Sequence, residues 1–224
     1  MKTLKFLILP TLLSFTLIFT SATSAGDKQT ERIHSANDVL KDFGKMKDGI
    51  PHDMIAKYEG VVIIPSLINA GIGVGGKRGK GVAMVKLANG KWSDPVFVSM
   101  TGGSFGAQIG VQSIDLVLVF RHKTTLTKIK NGDFTIGGDA SAAAGPVGRS
   151  ASANTDYKLD AEIYSYSRSK GLFAGISING ANLAIDKSSN KDYYGESATS
   201  KDIFATSKSN KAAVKTLKGT LESM

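Results

Sequence analysis

Ile33, Ala36, Leu40 and Phe43 recur at intervals of three, four and three, and Val39 widens the stripe. That spacing predicts an amphipathic helix with one apolar side, after a polar start over 26–30. Asp48-Gly49-Ile50-Pro51 stops it, and Pro51 suits the first turn of a short second helix running to Tyr58. The period then changes. Gly60-Val61-Val62-Ile63-Ile64-Pro65 is a short apolar run between glycine and proline, the pattern of a buried strand. Val96 to Phe120 combines β-formers with the glycine seam Gly102-Gly103-Ser104-Phe105-Gly106-Ala107-Gln108-Ile109-Gly110 and ends in the unbroken run Leu116-Val117-Leu118-Val119-Phe120. Each interior glycine would cost a helix roughly 1 kcal/mol. A strand accepts glycine where the sheet bends sharply or another backbone comes close. The unbroken run predicts a strand covered on both faces, near the centre of the sheet.

The remaining elements follow from the same reading. Gly71 to Gly81 reads as a β-hairpin with Lys77, Arg78 and Lys80 at its tip, and Asn89-Gly90 as a second hairpin turn. His122 to Asn131 offers a short helix, and Phe134-Thr135-Ile136 a short strand. Tyr157 to Tyr164 alternates as a half-buried strand. Gly171 to Ile178 and Ala181 to Ile185 add two strands joined by Asn179-Gly180. From Lys201 the pattern is helical. Ile203, Val214, Leu217 and Leu221 fall on one side, and Lys208, Lys211, Lys215 and Lys218 recur at three, four and three on an adjacent side. This lysine row is either the solvated face of a final helix packed on the sheet or a face lying on an anionic surface. The fold class predicted is α+β: N-terminal and C-terminal helices around a coiled, largely antiparallel, glycine-rich sheet or partial barrel.

The first residues stand apart. Lys2 and Lys5 precede the apolar stretch Phe6 to Phe19, and Thr23-Ser24-Ala25 supplies small residues for cleavage. This is the pattern of a secretory signal peptide over 1–25, cleaved near Ala25. It predicts a periplasmic or secreted protein with one domain over 26–224. The chain has no cysteine, which excludes disulfides, thiolate metal sites and a cysteine nucleophile. Its formal charge is +9, and setting aside Lys2 and Lys5 leaves 9 − 2 = +7. A basic exported protein meets anionic headgroups or polyanions favourably.

No catalytic constellation emerges. Gly71-Ile72-Gly73-Val74-Gly75-Gly76 matches a dinucleotide fingerprint on paper, and Gly71 with Gly76-Lys77 nearly matches a P-loop. Both motifs need a following helix to turn its amides toward phosphate, and the sequence continues as a turn and a strand. His34, His52 and His122 are far apart and lack metal-ligand spacing. There is no Gly-x-Ser-x-Gly elbow, and Gly103-Ser104-Phe105-Gly106 lacks that spacing. Asp160 and Glu162 could share one side of a strand, as in a glycosidase pair, but read as solvated strand charges. Basic residues interleaved with exposed aromatics, as nucleic acid binding requires, are missing. No metal or cofactor is implied.

Gly145-Pro146-Val147-Gly148-Arg149, Asp156, and Ile163-Tyr164-Ser165-Tyr166-Ser167-Arg168-Ser169-Lys170-Gly171-Leu172-Phe173-Ala174-Gly175 together resemble the SYLF domain family. Gly60 to Pro65, Gly90 to Pro95, Gly102 to Gly110 and Asn190 to Gly195 fit the same family in the same order. The resemblance spans roughly Asp38 to Leu217. It implies lipid binding rather than catalysis. Eukaryotic members bind phosphoinositide-containing membranes, some bind actin, and bacterial members are exported and described as lipid-binding. An N-terminal amphipathic helix and basic residues are implicated in membrane contact. On this chain those are Ile33, Ala36, Leu40 and Phe43 for the helix, and Arg149, Arg168 and Lys170 at motif positions for headgroups. Lys77, Arg78, Lys80, Lys211, Lys215 and Lys218 join them from the basic stretches. The expected partner is a phospholipid or anionic membrane surface. The alternative is an exported structural or interaction protein that binds an envelope protein or polymer without lipid.

Overall fold

The computed structural model describes residues 25–47, 49–129, 134–146, 160–173 and 175–224, with side chains at all of these except 25, 73, 104–109 and 173. Residues 1–24, which include all but the last residue of the expected leader over 1–25, lie outside the described residues, as do Arg149, Asp156 and the segment 157–159.

The apolar stripe forms helix α1 (Ala25–Lys45). It starts earlier than the stripe because the polar residues of its first turns also find partners. The Gln29 amide donates to Asp192 at 3.3 Å, and Arg32 Nη1 donates to Asp186 at 3.2 Å. Helix α2 (His52–Lys57) follows Pro51 as the sequence implies.

Two long strands, β1 (Gly60–Val85) and β2 (Val96–Phe120), pair antiparallel from Gly60 opposite Phe120 to Ala83 opposite Val96. Their turn is Asn89-Gly90, where the Gly90 N–H donates to the Leu87 carbonyl at 2.9 Å and Gly90 takes φ +78°. No hairpin occurs at 71–81. Lys77, Arg78, Gly79 and Lys80 run straight through the ladder opposite Gly102, Thr101, Met100 and Ser99. The glycines there serve a bend instead of a turn. The register shifts between Ile64 and Leu67 and again between Ile72 and Val74, and the whole hairpin folds back on itself. A Cβ on Gly75 would collide with the Ala70 carbonyl, and one on Gly81 with the Ile63 carbonyl. The two halves of β1 therefore lie against each other at a distance only a bare Cα permits. The Glu59 carbonyl accepts from the Lys86 N–H at 2.8 Å, which closes the loop.

Five shorter strands complete a seven-stranded half-barrel among the described residues: β3 (Phe134–Thr135), β4 (Ala142–Ala144), β5 (Ile163–Ser169), β6 (Leu172–Phe173) and β7 (Asn182–Ile185). β5 pairs with the end of β2, from Asp115 opposite Arg168 to Phe120 opposite Ile163. β7 pairs with Val98 to Thr101. The strand predicted to end at Tyr164 instead begins at Ile163. Of the one predicted over 171–178, the described residues that pair are Leu172–Phe173.

Alternation along β1 and β2 fills two cores, one on each face. Val61, Ile63, Val82, Met84, Phe97, Val117 and Val119 meet α1, α2 and the last helix. Val62, Ile64, Leu67, Ala83, Val85, Leu116, Leu118 and Phe120 fill the inside of the bend. Helix α3 (Lys123–Thr127) closes one end. Helix α4 (Lys187–Tyr194), absent from the sequence reading, is N-capped by Asp186. The C-terminal pattern is two helices, α5 (Ser200–Phe204) and α6 (Ala212–Ser223). Lys208 and Lys211 precede α6, so the four lysines share no single helix. The interruption has a cause: the backbone N–H groups of Lys208 and Ser209 donate to the Asp94 carboxylate at 3.0 and 3.1 Å.

Candidate membrane-facing site

Among the described residues, the cations singled out from the sequence are not gathered at one place. Most of them hold the fold together. Lys77 is buried inside the bend and donates to the Ser177 carbonyl, and burial pushes its ammonium pKa down. Lys80 Nζ lies 2.9 Å from the same Asp186 oxygen that Arg32 approaches. Asp186 also accepts from Ser188 Oγ at 2.9 Å and Ser189 Oγ at 2.8 Å. Burial opposes its ionisation, but the bonds from Lys80, Ser189 and Ser188 outweigh this and hold its carboxyl well below the usual range.

Arg168 pairs at 2.7 Å with both Asp42 and Asp115. Lys218 pairs with Asp94 at 2.6 Å and reaches Ser207 Oγ at 2.7 Å. Lys211 sits 3.4 Å from the centroid of the Tyr193 ring and donates to that residue's carbonyl at 3.1 Å. Asp160 and Glu162 precede β5 rather than lying on a strand, and Glu162 is engaged within the fold. It accepts from the Thr125 hydroxyl at 2.6 Å and the His122 N–H at 3.1 Å, fixing the start of α3.

What remains at the surface is Arg78, Lys170 and Lys215, exposed and without an ion pair among the described residues. Ile33, Ala36, Leu40 and Phe43, assigned from the resemblance to membrane contact, are at most 1% exposed. Their stripe forms the helix–sheet core, so contact through it would require α1 to leave the sheet.

The sequence reading missed a set of exposed apolar side chains at the bend of the hairpin. Ile72 is 77% exposed, Val111 75%, Val74 67% and Ile68 43%; Leu172 on β6 is 73% exposed. A signal existed for three of them: Ile72, Val74 and Val111 are β-formers next to glycine, in a stretch without acidic residues. Among the described residues no helix is long and apolar enough to cross a membrane.

The family described as "Ysc84: Las17-binding protein actin regulator" matches residues 101–224. The chain belongs to the Ysc84 (SYLF) family. This Ysc84 domain is 36% identical over 165 residues to SH3 domain-containing YSC84-like protein 1 of Xenopus laevis, covering 70% of this chain and 49% of that protein. It is 35% identical over 155 residues to the human protein of the same name, covering 69% and 45%. To LAS seventeen-binding protein 3 of Saccharomyces cerevisiae it is 34% identical over 159 residues, covering 70% and 34%. The chain thus matches about half or less of the length of these curated relatives. The Ysc84 family is one of binding and regulator domains rather than of enzymes.

Proposed function

We propose that this Ysc84 domain is an exported, non-enzymatic envelope protein that binds an anionic lipid surface. The observation that supports this reading is what the ion pairs leave over. With Arg32, Lys80, Arg168 and Lys218 matched to carboxylates inside the fold, Arg78, Lys170 and Lys215 remain exposed on a chain whose formal charge of +9 falls to 9 − 2 = +7 without Lys2 and Lys5. Each such cation near an anionic leaflet contributes about 1 kcal/mol at low salt. The leader pattern over 1–25 supports export, and the resemblance described above supports lipid as the ligand class. The test is co-sedimentation of the protein lacking 1–25, because an apolar leader would itself enter vesicles. Phosphatidylcholine vesicles are compared with vesicles containing phosphatidylglycerol, at low and high salt. Pelleting selective for the anionic vesicles and weakened by salt is the expected outcome. Failure to pellet with either would remove the lipid reading and leave an envelope protein or polymer as the partner.

A further inference from the structure

The outer face of the bent hairpin is covered by α1 along Val61, Ile63, Val82 and Met84, up to the ion pairs of Asp115 and Lys80. Past those pairs no helix among the described residues covers it. Gly75 and Gly81 point into the bend, so alternation along β1 turns Val74 and Arg78 outward. On the other half of β1, Leu67 points inward and Ile68 and Ile72 outward, with Val111 opposite Ala70 in the register. Large apolar side chains that are 67 to 77% exposed on a contiguous sheet apex mark an interaction surface.

The surroundings of the apex say what it fits. From Ser66 to Gly81 and from Ser99 to Ile114 neither strand carries an Asp or Glu. Arg78 flanks the apolar set on β1. On the other side the β5–β6 turn brings Lys170 and the exposed Leu172, tied to the same end of the sheet by the Ser169 hydroxyl donating to the Ser113 carbonyl at 3.1 Å. Ser113 lies directly opposite Ile68. Apolar side chains between exposed cations match the boundary of an anionic bilayer, where acyl chains lie beneath phosphate. A second copy fits less well. It would set cation against cation, and a handful of side chains falls short of the roughly 800 Å² per partner that stable protein interfaces bury.

Resting on the lipid reading above, we infer that the apex of the bent hairpin is the segment that enters the bilayer. Ile72, Val74 and Val111 sit at the headgroup–acyl boundary, with Ile68 behind them, while Arg78 and Lys170 contact phosphate. Charge attraction then brings the protein to the surface, and the apex supplies binding that resists salt.

The test uses the protein lacking 1–25 with vesicles of phosphatidylglycerol and phosphatidylethanolamine at high salt. The triple variant Ile72→Ser/Val74→Ser/Val111→Ser keeps the wild-type melting temperature and loses roughly ten-fold or more of the vesicle partition coefficient. Separately, Ile72→Trp reports insertion directly, because the native Trp92 is 2% exposed and stays silent. Its emission shifts to the blue and is quenched by brominated acyl chains. If the wild type pellets and the triple variant pellets equally, with Ile72→Trp emission unshifted, the apex is overturned and the lipid reading stands. If the variant abolishes a dimer while leaving vesicle binding intact, a second copy replaces the bilayer. If the wild type pellets with no vesicle, both readings fall. Should the triple variant not fold, the Ile72→Trp quenching decides alone.

Discussion

The guanidinium of Arg168 lies 2.7 Å from the carboxylate of Asp115, two residues directly opposite each other on β5 and β2. Asp115 in turn accepts the backbone N–H of Ser66 at 3.0 Å, where β1 shifts register and Ser66 takes φ +51°. Arg168 also reaches Asp42 on α1 and lies 5.8 Å from the Phe43 ring centroid. One side chain thus joins the bulge, the sheet and the first helix. Arg168→Met leaves two carboxylates facing each other and lowers the unfolding free energy by about 2 kcal/mol. Arg168→Lys restores only part of that, since a single ammonium cannot serve both carboxylates as the planar fork does. Urea unfolding of the three proteins measures the order.

The crossing of β1 over itself depends on Gly81. Gly81→Ala drives a methyl group into the Ile63 carbonyl, and we expect a loss of 3 kcal/mol or more, on the order of the largest single-residue effects. Gly76→Ala is the control. Its new Cβ would meet nothing closer than the Gly102 oxygen at 3.7 Å, and the change stays within about 0.5 kcal/mol. Equal melting temperatures for the two variants would rule out the crossing as described.

Acid should loosen the junction of α1, β1 and α4. The Asp186 carboxyl is depressed in the folded state, as is that of Glu162, where bonds from Thr125 and His122 outweigh burial. A depressed carboxyl adds stability above its unfolded value of about 4, and that stability is lost as pH falls through the folded value. Asp186→Asn therefore destabilises by about 2 kcal/mol at pH 7, and its gap from the wild type narrows below pH ~4. Urea midpoints from pH 7 to pH 2 follow the gap.

Alkali acts through tyrosine. Burial, with Tyr164 nearby, pushes the Tyr58 phenol up to about 12. Burial also raises Tyr166, Tyr193 and Tyr194, with further pressure from Tyr58 on Tyr166 and from Asp94 on Tyr194. For a raised phenol the contribution is complete below the unfolded value of about 10 and is lost as pH climbs toward the folded one. The phenolate absorbance of these four tyrosines should rise in a late, cooperative step that coincides with loss of the circular dichroism signal. Smooth titration of these four near pH 10 in a folded protein would contradict the burial.

Two lysines of the last helix should part company. Lys218 and Asp94 are 12% and 6% exposed at the side chain, so Lys218→Met costs about 2 kcal/mol. Exposed Lys215→Ala leaves stability within about 0.5 kcal/mol and weakens low-salt binding to anionic vesicles a few-fold. Thermal melts and co-sedimentation on the same samples separate the two effects.

Much of the architecture could be read from periodicity. The stripe at Ile33, Ala36, Leu40 and Phe43 forms a helix, and Leu116 to Phe120 does feed two cores. Asn89-Gly90 does turn the chain. The misreadings share a physical origin. At Gly71 to Gly81 the glycines that suggest a tight turn instead let one strand bend and cross its own backbone, a long-range demand that no local pattern encodes. The lysine row from Lys208 to Lys218 has helical spacing, but Asp94, more than a hundred residues away, takes the amides that a helix would have used. Helix α4 left a faint trace in Asp186, placed to cap through Ser189. The cations were legible as residues but not as partners, since Arg168, Lys80 and Lys218 meet their carboxylates only after folding.

The bend at 71–75 lies inside β1, whose ladder with β2 is broken there only between Ile72 and Val74, not in a loop. Ile72, Val74 and Val111 are therefore presented from a backbone already ordered by ladder hydrogen bonds on its partner strand. A surface loop would surrender roughly 1–2 kcal/mol of conformational entropy per residue on being fixed against a partner. Here folding has largely met that penalty before any encounter. The apex is preorganised, so a small apolar area can suffice for attachment where a flexible segment of the same composition would not.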